Sequence, residues 1–142
     1  MVLGYTTGVY DLFHIGHLNI IRNARSLCDK LIVGVTTDEL LLNYKKKKPV
    51  ISFPERCEIV RSIRYVDAVV PQNDMNKFDA WKKLKFDIMM VGDDWYKSDK
   101  WMKYESQFKE VGVKVVFCPY TQGTSATLIN QILVKERKIL EK

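Results

Sequence analysis

The chain has 142 residues, 46% hydrophobic and 28% charged, the composition of one folded domain with a sizeable core and not of a disordered segment. No apolar run approaches the ~20 residues that span a bilayer, and the opening MVLGYTTG lacks the basic start and cleavage site of a secretory leader, so a cytoplasmic protein without membrane insertion is expected. Cys28, Cys57 and Cys118 are dispersed without CxxC spacing, which argues for reduced thiols over a disulfide framework or zinc site; the net charge of +6 admits nucleic acid, anionic surfaces or small phosphorylated ligands as partners.

Apolar, strand-like runs recur at Val2–Tyr5, Leu31–Val35, Ala68–Val70, Ile88–Val91 and Val113–Cys118, separated by segments of helical spacing. This alternation predicts a single α/β domain, a doubly wound parallel sheet with right-handed crossovers. Ligands of such sheets bind beyond the carboxyl ends of the strands.

The first run leads through GYTTGVYDLFHIGH, which delivers His14 and His17 as the helical pattern Leu18, Ile20, Ile21, Ala24 begins. A helix N-terminus carries unpaired N–H groups and about half a positive charge, so it attracts phosphate, and two imidazoles there make a phosphate site. The competing reading is a pair of ordinary surface or core histidines.

The second strand is followed by Thr36, Thr37 and Asp38, suited to cap a short helix. Lys45 to Lys48, closed by Pro49, form a run that reads either as a solvated loop or as a lid bringing ammonium groups to phosphate. Ser52-x-x-Glu55 has the capping-box pattern and opens a helix with Ile59, Val60 and Ile63 on one face. Arg56 falls in its first turns, opposed to the helix dipole, which calls for a ligand or a buried carboxylate partner.

After the third strand, Asp74 or Asn76 is placed to cap a helix with Lys77 at its start and Phe78, Trp81 and Leu84 on its apolar face. FDIMMVGDDW sets Asp93 and Asp94 at a strand's carboxyl end, on the side where the sheet rule puts the site. Trp101, Tyr104 and Phe108 mark an amphipathic helix, and VKVVFCPYTQGTSATLINQIL gives a strand, a loop and a last helix capped by Thr124 or Ser125. The expected division is a domain over 1–133 and a charged helical end over 134–142.

GVYDLFHIGH, ERCEIVRSIRYVDAVVP, MVGDDW and YTQGTSAT occur in one order from Tyr5 to about Leu133. This series resembles the HxGH nucleotidyltransferase superfamily and, within it, the glycerol-3-phosphate cytidylyltransferases. The resemblance implies a Rossmann-like domain with a five-stranded parallel sheet and helices on both faces. It also implies cytidylyl transfer from CTP to glycerol 3-phosphate or a similar alcohol phosphate.

By the same resemblance His14 and His17 are catalytic and hydrogen-bond the phosphates, and Gly16 lets those phosphates approach the backbone. Gly8, Val9, Tyr10 and Asp11 would lie along the nucleotide. Asp94 would sit on its cytidine or metal side, and Thr121, Gly123, Thr124, Ser125 and Thr127 would meet its phosphates. Lys46, Lys77, Arg56 and Arg64 would bind the acceptor. Mg²⁺ would arrive with CTP, its protein ligands being unassigned, and a homodimer is implied. Where the family reads RTxGISTT, Tyr120 replaces Arg, Thr124 replaces Ile and Ala126 replaces Thr. Losing the guanidinium removes a planar fork of donors, which leaves the identity of the nucleotide open.

The attacking group in such a reaction is an ionised phosphate, so no strong general base is required; catalysis is positioning and relief of negative charge. Alternatives are transfer of a cytidylyl or adenylyl group to another phosphorylated acceptor, or a non-catalytic nucleotide-binding relative. A nucleic-acid module or a zinc protein would need patterns that are missing from the sequence.

Overall fold

The computed structural model describes residues 1–92, 99–119 and 132–135. In chain order the elements are β1 (Leu3–Gly8), α1 (Ile15–Ser26), β2 (Lys30–Thr36), α2 (Asp38–Lys45), α3 (Phe53–Arg61), β3 (Ala68–Gln72), α4 (Lys77–Leu84), β4 (Ile88–Gly92), α5 (Asp99–Glu110) and β5 (Lys114–Cys118). All strands run parallel in one five-stranded sheet ordered β3-β2-β1-β4-β5. The chain winds outward from β1 through β2 to β3, then returns across the sheet to β4 and β5. The direction of winding therefore switches between β1 and β4, where sheets of this kind open a crevice.

Period-two alternation sends side chains to both faces, and both faces are covered. Leu31, Val33 and Val35 of β2 and Met90 of β4 pack with Ile21 and Ala24 of α1 and Cys57 and Val60 of α3. Tyr5, Met89 and Val91 pack on the other face with Trp101 and Phe108 of α5 and with Phe78 and Trp81 of α4. Double coverage explains why these strands are continuous apolar runs. Each fully buried side chain of this size stabilises the fold by ~1.5–3 kcal/mol.

Strand ends depart from the sequence expectation for local reasons. β1 continues past Tyr5 because the buried Thr6 hydroxyl donates to the Met90 carbonyl at 2.9 Å, which ties β1 to β4. β3 runs through Pro71 to Gln72, tolerable because β3 is an edge strand. The capping box at Ser52 does not form: Ser52 precedes α3, but its hydroxyl lies 3.1 Å from the Glu55 carboxylate and not on a backbone N–H. Thr37 does cap α2, accepting from Leu40 N at 3.1 Å. Asn76, and not Asp74, caps α4, accepting from Phe78 N and Asp79 N.

Cys28, Cys57 and Cys118 are free thiols, and burial pushes those of Cys28 and Cys57 up, so neither is a ready thiolate. No described helix is long and apolar enough to cross a membrane.

Candidate active site

Beyond the carboxyl end of β1 the backbone is held in unusual geometry. Tyr10 (φ 56°) and Leu12 (φ 48°) are both left-handed, a conformation that disfavours side chains by about 1–2 kcal/mol each. Such strain persists only where the surroundings over-determine it. Here the Asp11 carboxylate accepts from Val50 N at 2.8 Å and Ile51 N at 2.9 Å, which staples the turn to the segment ahead of α3.

Arg56, fully buried, completes the staple. Its Nη1 donates to the carbonyls of Val9 (2.7 Å) and Thr36 (2.8 Å), its Nε donates to that of Ile51 (2.9 Å), and its Nη2 pairs with Asp38. One guanidinium thus joins the ends of β1 and β2, the start of α2 and the approach to α3. Gly8 lies beneath the Tyr10 ring, where an added Cβ would sit 2.9 Å from Cζ. The close approach that demands glycine is therefore made by the chain itself.

This turn delivers His14 as the N-cap of α1, where its Nδ1 accepts from Gly16 N at 3.0 Å. Reciprocally, His17 Nδ1 accepts from His14 N at 3.2 Å. The imidazole rings stack with centroids 3.9 Å apart, and Tyr10 and Phe13 flank His17. An Nδ1 that accepts a backbone proton leaves the ring proton on Nε2. Burial lowers the His14 pKa, and burial followed by the charge of His14 takes His17 to about 4. Both rings are neutral at pH 7, fixed as Nε2–H donors at a helix N-terminus whose own N–H groups attract anions.

On the opposite face of the sheet a cavity of about 190 Å³ opens at the carboxyl ends of β1 to β4, lined among others by Thr7, Gly8, Thr36, Lys45, Gln72 and Lys77. Lys77, the first residue of α4, is 6% exposed and its Nζ donates to Thr7 Oγ1 at 3.2 Å. Burial, then the neighbouring Lys100 charge, lowers its pKa to about 8, while Asp74 opposes the shift. It forms no ion pair among the described residues, so an incoming phosphate would be its counter-charge.

The structure thus gathers Gly8, Val9, Tyr10, Asp11, His14, Gly16, His17 and Lys77 at one end of the sheet. It changes the expected role of several. Tyr10 is buried in the core and Asp11 is spent on backbone N–H groups. Arg56 does not bind an acceptor as expected, because its donors are engaged within the fold and it is closed to solvent; the carboxylate partner is Asp38. Arg64 lies ahead of β3, at the amino ends of the strands away from the site, stacked on Tyr65 with ring centroid and Cζ 4.9 Å apart. Lys46 is the exposed, left-handed C-cap of α2, whereas Lys45 lines the cavity.

Asp94, Tyr120, Thr121, Gly123, Thr124, Ser125 and Thr127 lie outside the described residues. Thr36 and Gln72 were not foreseen as site residues, although a polar residue closing an apolar strand was the available signal. Among the described residues no three His, Cys, Asp or Glu side chains converge to hold a metal ion.

A doubly wound sheet with paired imidazoles at one helix N-terminus and a buried lysine in the adjoining crevice defines a nucleotide-handling α/β enzyme. The chain belongs to the cytidylyltransferase-like family, whose model matches residues 5–135. It is 36% identical to the glycerol-3-phosphate cytidylyltransferase of Staphylococcus aureus, covering 90% of this chain and 92% of that protein. It is 33% identical to the FAD synthase of Pyrococcus abyssi, covering 93% and 90% respectively. Its fold matches that of the lipopolysaccharide core biosynthesis protein of Thermoplasma volcanium with a TM-score of 0.71 at 24% identity, covering 87% of this chain and 99% of that one.

Proposed function

We propose that the protein transfers the cytidylyl group of CTP to glycerol 3-phosphate or a closely similar alcohol phosphate, releasing pyrophosphate. The observation that carries this reading is that the cavity holding Lys77 and the neutral histidine pair, on opposite faces, lie at the same carboxyl end of the sheet: one pocket for an acceptor phosphate, one donor set for a triphosphate. An acceptor phosphate oxygen attacks the α-phosphorus of CTP, the bond to the bridging oxygen of the β-phosphate breaks, and pyrophosphate departs. No proton need be removed. The charge that builds on the α-phosphoryl and leaving oxygens meets the Nε2–H groups of His14 and His17 and the N–H groups opening α1.

The substrate is MgCTP in this reading, with the ion held mainly by phosphate oxygens and water, as Mg²⁺ commonly is. The described residues supply no cluster for it. The relatives named FAD synthases favour a second reading, adenylyl transfer to a flavin phosphate. A space of ~150 Å³ holds a single benzene ring. The cavity of about 190 Å³ opens to solvent and has room for a phosphate on a short carbon chain, and turnover with flavin mononucleotide separates the two readings. The reading includes assembly as a homodimer, which light scattering of the purified chain tests.

The deciding experiment is pyrophosphate release from each nucleoside triphosphate against glycerol 3-phosphate, ribitol 5-phosphate, phosphoethanolamine and flavin mononucleotide. Release is expected with CTP and an alcohol phosphate. Turnover confined to ATP with flavin mononucleotide overturns cytidylyl transfer, and no release from any pair overturns catalysis.

A further inference from the structure

Gln72 closes β3 with its side chain 7% exposed. One arm of the carboxamide is fixed, because Thr36 Oγ1 lies 2.7 Å from Oε1, and that hydroxyl is also 3.2 Å from the Gly8 carbonyl. The other arm, Nε2, is buried and has no hydrogen-bond partner among the described residues. A buried amide nitrogen without an acceptor costs about as much as a lost hydrogen bond, so native structures rarely leave one unmatched away from a ligand site. Gln72 lines the same cavity as Lys77 and Lys45.

Resting on the acceptor reading above, we propose that Gln72 is the specificity-determining residue for the acceptor, its Nε2 donating to a hydroxyl oxygen of a polyol phosphate whose phosphate lies on Lys77. The chemistry of the lining supports that substrate class. Its described polar groups are the ammonium groups of Lys45, Lys77 and Lys100, the Gln72 carboxamide, and hydroxyls, with no carboxylate among them. A donor-rich pocket suits a ligand made of acceptor oxygens and disfavours one carrying its own ammonium group. The bond from Thr36 holds the carboxamide in place before the acceptor arrives, so little side-chain freedom is lost on binding.

Two measurements test this. In the ¹⁵N-labelled protein the Gln72 side-chain amide, identified by its disappearance in Gln72→Met, is expected to shift on titration with glycerol 3-phosphate and much less with inorganic phosphate. Kinetically, wild type should prefer glycerol 3-phosphate to n-propyl phosphate, and Gln72→Met should lose roughly tenfold of that preference, the worth of about one neutral hydrogen bond. The KM for CTP should be unchanged. Gln72→Glu keeps an acceptor for Thr36 but carries no N–H, so it should lose the preference as Gln72→Met does, and circular dichroism spectra and melts like those of wild type guard against a folding defect in either variant.

An amide that does not move with glycerol 3-phosphate, or a folded Gln72→Met enzyme with undiminished preference, overturns the assignment even if cytidylyl transfer is confirmed. A wild type that turns over no alcohol phosphate overturns the acceptor reading instead, and the amide titration then still decides whether Gln72 contacts such a ligand.

Discussion

His14 and His17 cap each other: the Nδ1 of His17 accepts the His14 backbone proton at 3.2 Å while the two rings stack 3.9 Å apart. The same atoms that start the helix thereby fix both imidazoles as Nε2–H donors. Structural and catalytic roles can be separated by substitution. His14→Asn preserves an N-cap acceptor and should keep the melting temperature near wild type, whereas His14→Ala should cost ~1 kcal/mol of stability. Each should lower kcat by about 10²- to 10³-fold, the effect of removing one transition-state donor. Thermal melts alongside steady-state kinetics check the pair of outcomes.

The neutral state of His17 makes a second prediction. Its folded pKa, about 4, lies below the ordinary value of 6.5 because burial and the charge of His14 disfavour the imidazolium. Between those values the unfolded chain takes up a proton that the native state refuses, so stability contributed by the neutral ring is present above pH 6.5 and lost as pH falls toward 4. Urea unfolding from pH 7 to 4.5 should show this decline, and His17→Asn should show a shallower one. Equal slopes in the two proteins would place the acid sensitivity elsewhere.

The sheet and its parallel order were legible because β2 and β4 are unbroken apolar runs, which only double coverage explains. The meeting of the two histidines at a helix N-terminus was legible because both fall where a strand pattern gives way to a helical one. Arg56 was half legible: its conflict with the helix dipole announced a partner, but Asp38 is 18 residues away and the Val9 carbonyl is 47 away, pairings that only tertiary structure reveals. Gln72 was legible only as a polar residue closing an apolar strand, a signal without meaning until Thr36 is seen to hold one arm of the amide while the other is unmatched among the described residues.

Arg56 supplies the third prediction. Its guanidinium is fully buried, with three backbone carbonyls and Asp38 as partners, so truncation leaves carbonyls and a carboxylate without their donor. Arg56→Leu should destabilise by about 3 kcal/mol, on the order of 1 kcal/mol for each of the three carbonyls left without its donor, the half-exposed Asp38 adding little. Arg56→Lys should recover little, because an ammonium cannot span the same fork. Denaturant midpoints measure both; a loss under 1 kcal/mol for Arg56→Leu would show that the staple is dispensable.

The lysine run yields a contrast between neighbours. Lys45 lines the cavity and Lys46 faces solvent as a left-handed cap. Lys45→Ala should raise the acceptor KM severalfold with little change for CTP, and Lys46→Ala should leave both nearly unchanged. Lys46→Gly should in fact stabilise slightly, since glycine takes positive φ without strain. The reverse ranking in KM would restore the expectation drawn from the sequence.

Lys77 gives the last prediction. Buried beside Thr7, with Lys100 repelling its charge and Asp74 attracting it, this ammonium has a pKa near 8 in the free protein. It is mostly charged at pH 7 and loses its proton in the range where alcohol phosphates remain dianionic, their second ionisation lying near 6. Acceptor kcat/KM, which reports free-enzyme ionisations, should therefore fall about tenfold per unit above pH 8. A guanidinium stays protonated throughout this range. Lys77→Arg should lower the rate at pH 7, because its fork fits the niche poorly, yet flatten the alkaline limb. Profiles of kcat/KM from pH 6 to 10 for both proteins decide the matter: an alkaline limb that survives in Lys77→Arg belongs to another group, and Lys77 would then contribute packing and not charge.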